Sequence, residues 1–240
     1  MKKIIYTYDN GIFTNLKLVI TIARKDGFIK ALSKTFKNIY YKLIGVDFSF
    51  QSLDKLEIQS PNHSHATMCG SSTQSTVAHI FDMLVTWDKS ILDGVFVDYG
   101  SGKGKLIIHA KKYGFKKVIG IEFAKELYQT SILNIQKLHL KNIQVLHMDA
   151  INYIPQPNTR VIYFHNPFSS EVFDIILPKL IDETKKFKKT IYLVYRVPLQ
   201  KEVFKKYPAI EHIKSDMFQK DATEFYKLKE NNERDTRKDL

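Results

Sequence analysis

Ten residues, FVDYGSGKGK at 96–105, constrain the fold more than any other part of the chain. An apolar strand pattern, VFV at 95–97, closes on an acid, Asp98. Gly100, Gly102 and Gly104 follow in the spacing G-x-G-x-G, and a helical pattern starts immediately after them. Glycines permit a tight turn and let a ligand approach the backbone, while the helix that follows offers free N–H groups and the positive end of its dipole. Strand, glycine turn and helix in this order open a βαβ unit whose ligand lies at the carboxyl ends of the strands. In the dinucleotide-binding spacing G-x-G-x-x-G the third glycine would fall at 105, which is Lys105, so the spacing argues against NAD.

The chain beyond this turn keeps alternating short apolar runs with helical patterns. KVIGIE (117–122), IQVLHMD (143–149), RVIYFHN (160–166) and IYLVYR (191–196) read as strands; 106–112, 125–138 and 171–187 read as helices. In the last helix Val172, Ile176 and Leu180 share one face with Phe173, Leu177 and Ile181 beside it, and Pro178 predicts a kink or an early break. This pattern indicates an α/β fold, a mostly parallel sheet with helices on both faces. After Pro198 the segments 209–218 and 224–229 read as two strands joined by a short polar turn, an antiparallel hairpin closing the sheet.

The chain before the glycine turn is of another kind. Residues 1–50 carry half of the net charge of +12. Within them 27–44 reads as a basic amphipathic helix, with Phe28, Leu32, Phe36, Ile39 and Leu43 on one side and Lys30, Lys34, Lys37 and Lys42 on the others. That helix is expected to pack its apolar side on the core, its lysines facing an anionic partner or simply water. A polar loop over 59–73 leads into a helix from Thr76 to Trp87, with Val77, Ile80, Phe81 and Leu84 on its apolar side. The expected organisation is a helical, basic extension (1–60), a core (61–230) and a polar tail (231–240). Cys69 is the single cysteine, and no apolar run suits a signal peptide or a transmembrane segment, so the cytoplasm is the expected location. The basic balance admits a nucleic-acid partner, but no motif supports one.

Two further acids fall where the glycine turn would need them. Glu122 ends the second strand, where a carboxylate can accept both hydroxyls of a ribose. Asp149, followed by Ala150, ends the third strand. Asp98, Glu122 and Asp149 thus stand at three successive strand ends, the edge at which such sheets bind ligands. The fourth strand runs into FHNPF (164–168), where Asn166-Pro167 is also a common turn opening.

The G-x-G-x-G turn with Glu122 resembles motif I and its ribose-binding acid in the class I methyltransferases. Asn166-Pro167-Phe168 resembles motif IV of enzymes that methylate amines and amides, with the second proline of that motif absent here. From Gly45 to about Pro198 the chain is similar to a group of bacterial methyltransferases. These carry, in order, a GVD segment, a polar lead-in loop, FVDLGSGKGR, VIGVEF and YNPF. The counterparts here are 45–47, the loop through Ser72, 96–105, 118–123 and 165–168. More distantly the chain resembles lysine methyltransferases that lack a SET domain.

The resemblance implies a Rossmann-like seven-stranded methyltransferase fold binding S-adenosylmethionine. Asp98, Gly100, Ser101, Gly102 and Gly104 would hold its methionine end, Glu122 its ribose, and Phe123, Asp149 and Ala150 its adenine, with Ser72 in the lead-in loop over it. Asn166, Pro167 and Phe168 would receive the acceptor, with Phe168 and Tyr195 walling the site. The implied activity is methyl transfer to an amine nitrogen such as protein lysine. A small-molecule or carbohydrate acceptor and a non-catalytic cofactor-binding role are the alternatives. Two other readings fall away: His63, His65 and Cys69 lack the paired spacing of a metal site, and strand alternation turns His165 away from the face of its neighbours.

Overall fold

The computed structural model describes residues 28–49, 51, 72–187 and 189–228, with the side chains of the first helix described from residue 35. The candidate metal residues His63, His65 and Cys69, most of the 59–73 loop and the 231–240 tail lie outside the described residues. The chain divides into two units, residues 1–51 and 52–240.

In the first unit, helix α1 (Phe28–Leu43) occupies the range its spacing predicts. Gly45, in the left-handed region at φ 71°, closes it: Val46 N bonds Tyr41 O at 2.8 Å and Gly45 N bonds Lys42 O at 3.1 Å. Of the expected apolar stripe, Phe36, Ile39 and Leu43 are exposed, while Tyr41 and Val46 are buried. The cap explains the difference. It folds the chain back over Tyr41, whose ring meets Phe48 edge-on at 5.7 Å and receives the Lys37 ammonium at 5.4 Å.

The second unit holds a seven-stranded sheet in the order β3-β2-β1-β4-β5-β7-β6. The strands are β1 (Val95–Tyr99), β2 (Lys117–Glu122), β3 (Ile143–His147), β4 (Thr159–His165), β5 (Ile191–Arg196), β6 (Ile210–Phe218) and β7 (Asp221–Leu228). β1 to β5 run parallel, and β7 is antiparallel to both β5 and β6. β1 and β5 are buried along their whole length, which is why they read as unbroken apolar runs; β6, at the edge, buries only Ile210 and exposes His212, Lys214, Ser215 and Met217. The helices are α2 (Gln74–Trp87), α3 (Lys105–Tyr113), α4 (Lys125–Lys137) and α5 (Ser170–Thr184). Thr73 caps α2 by accepting Thr76 N at 3.2 Å, and the helix buries Val77, Ile80, Phe81 and Leu84 as its spacing predicts.

Two features depart from the sequence pattern, each for a visible reason. Helix α5 runs unbroken through Pro178. Proline has no N–H to give the carbonyl four residues back, and that carbonyl, Asp174 O, instead faces the Tyr207 hydroxyl at 3.5 Å. Strand β7 starts at Asp221 rather than 224, because the hairpin turn is only Gln219 and Lys220, both left-handed at φ 52° and 75°. Buried Arg196 draws the polar start of β7 into the sheet, bonding Asp221 O and Oδ2 at 2.9 Å and Thr223 Oγ1 at 3.0 Å.

Candidate functional site

The sheet order sets the ends of β3, β2, β1 and β4 side by side, so Asp149, Glu122, Asp98 and Asn166 stand along one carboxyl edge. The glycine turn sits in the middle of that edge. Gly100 N and Ser101 N both bond Ile121 O, at 3.0 and 2.9 Å, which pins the turn to the end of β2. Gly102 has φ 53°, and a Cβ built on it would meet nothing within 4 Å. Its backbone therefore lies bare beneath open space, the shape of a cradle. Gly104 meets the opposite demand: a Cβ there would collide with Ser131 of α4. Gly100 lies against Pro167, so the glycine turn and the Asn166-Pro167 turn are in contact.

Two buried carboxylates flank the cradle. Glu122 Oε2 accepts Gly102 N at 2.7 Å and Oε1 accepts Ala124 N at 2.9 Å. Burial nevertheless dominates these bonds and pushes the Glu122 carboxyl up to about 7. Asp98 is buried with no hydrogen bond to any described residue; burial first, and the Glu122 charge second, hold its carboxyl well above the usual carboxylate range. Ser101 Oγ is likewise buried without a partner among the described residues. Unpartnered buried polar atoms are costly, and a carboxylate most of all. Their concentration around Gly102 is the signature of a place built for a ligand.

The flanks are filled by the remaining residues. Asp149 caps the short turn Ala150–Asn152, its Oδ1 accepting Ile151 N at 3.1 Å, and Ala150 is buried. Phe123 is half-buried, and its carbonyl lies 3.0 Å from His147 Nε2. Asn166 is buried with φ 43°, a left-handed conformation that asparagine tolerates better than most residues. Its Oδ1 faces the Tyr195 hydroxyl at 3.4 Å. Phe168 is half-buried, with Tyr99, Phe164 and Phe173 against its ring. Tyr195 turns its hydroxyl toward Asn166, while its ring lies in the core. It is fully buried, stacked on Phe204 at 5.4 Å and packed on Phe173, because β5 alternation turns it into the core.

Ser72 reaches β4, its Oγ 3.3 Å from the Tyr163 hydroxyl and 3.5 Å from His165 Nδ1. The members of this group lie 91 and 93 residues apart, so no local pattern joins them.

Sheet order, glycine turn and strand-end acids are shared with the class I S-adenosylmethionine-dependent methyltransferases, which this chain resembles. The family model described as "Putative methyltransferase" matches residues 93–167, the segment from the start of β1 to Pro167. EEF1A lysine methyltransferase 2 of Homo sapiens is 28% identical over 120 residues, 48% of this chain and 49% of that protein. Its Mus musculus counterpart is 28% identical over 96 residues, 39% of this chain and 38% of that protein. The chain thus spans about half the length, or less, of these curated relatives. Among solved structures, an RNA methyltransferase from Salinibacter ruber in complex with S-adenosyl-L-homocysteine shares the fold, with TM-score 0.51 and 14% identity. That likeness covers 69% of this chain and 97% of the other. No helix among the described residues is long and apolar enough to cross a membrane.

Proposed function

We propose that this chain transfers a methyl group from S-adenosylmethionine to an amine nitrogen such as that of a protein lysine. The observation that carries the reading is the bare Gly102 cradle, flanked by an unpartnered buried Asp98 and Ser101 and closed by Glu122. These residues fit the cofactor. Asp98 and Ser101 would take up the cationic amine of its methionine end, with the backbone of Gly100, Gly102 and Gly104 beneath. Glu122 keeps lone pairs beyond the two N–H bonds it accepts and would hold the ribose hydroxyls. Phe123, Asp149 and Ala150 would enclose the adenine, and the core would span 61–230.

S-adenosylmethionine, when bound, supplies an electrophilic methyl group on a positively charged sulfur. The protein's task is then positioning and the exclusion of water. Asn166, fixed by its turn and by Pro167 against Gly100, would accept an N–H of the acceptor and aim its lone pair. The half-buried ring of Phe168 gives an apolar wall. Such surroundings lower the pKa of an amine, ordinarily about 10, toward the neutral form that can attack. The lysine methyltransferase name carried by the curated relatives supports an amine acceptor.

Calorimetric titration tests the cofactor half of this reading. S-adenosylmethionine and S-adenosylhomocysteine are expected to bind, and NAD is not. Absence of heat with both methyl-cycle ligands, or tighter binding of NAD, overturns it.

A further inference from the structure

Strand β4 carries a second polar group beside its Asn-Pro turn. Ile162 and Phe164 enter the core against α5, so Tyr163 and His165 turn to the opposite face, where Tyr163 meets Phe96 at 6.2 Å. That face also holds Asp98, since β1 and β4 are in register with Asp98 beside Tyr163 and Tyr99 beside Phe164. His165 is the next residue along and falls beside Gly100, the first glycine of the cradle. It stands on the sheet face that carries the unpartnered Asp98.

The His165 ring is fixed on two sides. Tyr163 meets it edge-on at 6.5 Å, and Ser72 Oγ lies 3.5 Å from Nδ1. Ser72 is itself anchored through its neighbour: Thr73 Oγ1 donates to Gln219 Oε1 at 3.0 Å, and Gln219 Nε2 donates to Ser75 Oγ at 2.9 Å. The hairpin tip of β6 and β7 thus holds the start of α2 in place over β4. Nε2 of His165 makes no hydrogen bond to any described residue. Burial, with the Arg196 charge second, lowers the pKa of the ring to about 4, while Asp221 acts weakly the other way. The imidazole is neutral near pH 7, and with Nδ1–H given to Ser72 its Nε2 presents a lone pair.

We propose that His165 binds the methyl acceptor, its Nε2 accepting a hydrogen bond from the nitrogen that receives the methyl group while Ser72 holds Nδ1–H. This deepens the proposed function and rests on it, and it narrows the acceptor to a nitrogen that still bears hydrogen. A neutral amine can keep an N–H on Nε2 while its lone pair attacks. A hydroxyl would have to surrender its proton, and a ring of such low basicity makes a poor base for it. As the C–N bond forms, the C–S bond breaks, its electron pair stays on sulfur and the nitrogen takes up the positive charge. The extra proton is then lost to water.

Sinefungin tests this, because it carries a carbon in place of the sulfur of S-adenosylmethionine and an amine in place of the transferred methyl group. Wild type, His165→Ala and His165→Phe, the last keeping a ring against Tyr163, are titrated calorimetrically with sinefungin and with S-adenosylhomocysteine near neutral pH. In both variants sinefungin affinity is expected to fall about tenfold or more, the scale of one charged hydrogen bond, with S-adenosylhomocysteine affinity held within about twofold. A ratio of the two affinities equal to that of the wild type overturns the inference. So does a parallel loss of both ligands, which would make His165 a structural residue. Failure of the wild type to bind either ligand overturns the proposed function, and this inference with it.

Discussion

Glu122 gives the proposed cofactor site a pH dependence of defined sign. Its carboxyl sits at about 7 in the free protein, and the ribose hydroxyls would bond its ionised form. Binding therefore lowers that pKa, and affinity is full above about 7 and lost as the pH falls through it. If only the ionised form binds well, about a tenth of the protein is competent one pH unit below the pKa, so affinity drops about tenfold between about pH 8 and about pH 6. Glu122→Gln should flatten this slope and weaken binding about 10- to 100-fold above pH 7, the scale of a charged hydrogen bond. Folding of the free protein runs the other way. The folded pKa lies above the ordinary 4.5, so the favourable contribution of the protonated side chain is present below about 4.5 and lost as pH rises through about 7. For a fully buried group that loss is on the order of 3 kcal/mol, and Glu122→Gln should be spared it. Asp98 shifts in the same direction, in part through the Glu122 charge, so the difference between the two proteins reads Glu122 together with its coupling to Asp98. His165, lowered from 6.5 to about 4, is neutral across the binding range; its own effect on folding falls between those two values and is common to both proteins. Calorimetry with S-adenosylhomocysteine across this range reads the effect. A flat wild-type profile, or an equal slope in the variant, refutes the reasoning.

Three substitutions probe other parts of the account. Gly102→Ala puts a side chain into the open cradle at φ 53°, and should lose most cofactor affinity by calorimetry while the circular dichroism spectrum stays unchanged. Asn166→Ala should abolish methyl transfer in a labelled-methyl assay and leave S-adenosylhomocysteine affinity within a few-fold; loss of cofactor binding instead would move Asn166 into the cofactor site. Arg160→Met removes a buried guanidinium that pairs with Asp88 and bonds Thr190 O at 2.9 Å and Ser90 Oγ at 3.1 Å. Asp88 is partly exposed and keeps its bonds from Ser90, so the loss should cost about 1–3 kcal/mol, read as a lower midpoint in urea.

What could be read from the sequence was what depends on neighbours in the chain. The turn at 100–104, the acids that close β1 and β2 and the apolar runs of the parallel strands are each written within a few residues, and the structure has them at the expected places. What escaped depends on partners far apart in the chain. Gln219 meets Thr73 across 146 residues, and Ser72 meets His165 across 93, so the anchored start of α2 left no local trace. Tyr195 lies in an apolar run, but only the sheet order sets its ring against α5 with its hydroxyl toward Asn166. The start of β7 looked like a turn because Asp221 and Thr223 are polar, and they serve as acceptors for buried Arg196. The exposed stripe of α1 satisfied helical periodicity, yet periodicity states only which residues share a face, not whether that face is covered.

The central claim is methyl transfer to an amine nitrogen, and one assay addresses it directly. Purified wild type and Asn166→Ala are incubated with S-adenosylmethionine labelled in its methyl group and a cell lysate, which is then resolved into protein, nucleic-acid and small-molecule fractions. The account predicts label in the protein fraction, on lysine side chains, with wild type and none with Asn166→Ala. Label confined to nucleic acid or to small molecules, or no label from a folded wild type that binds the cofactor, would contradict it.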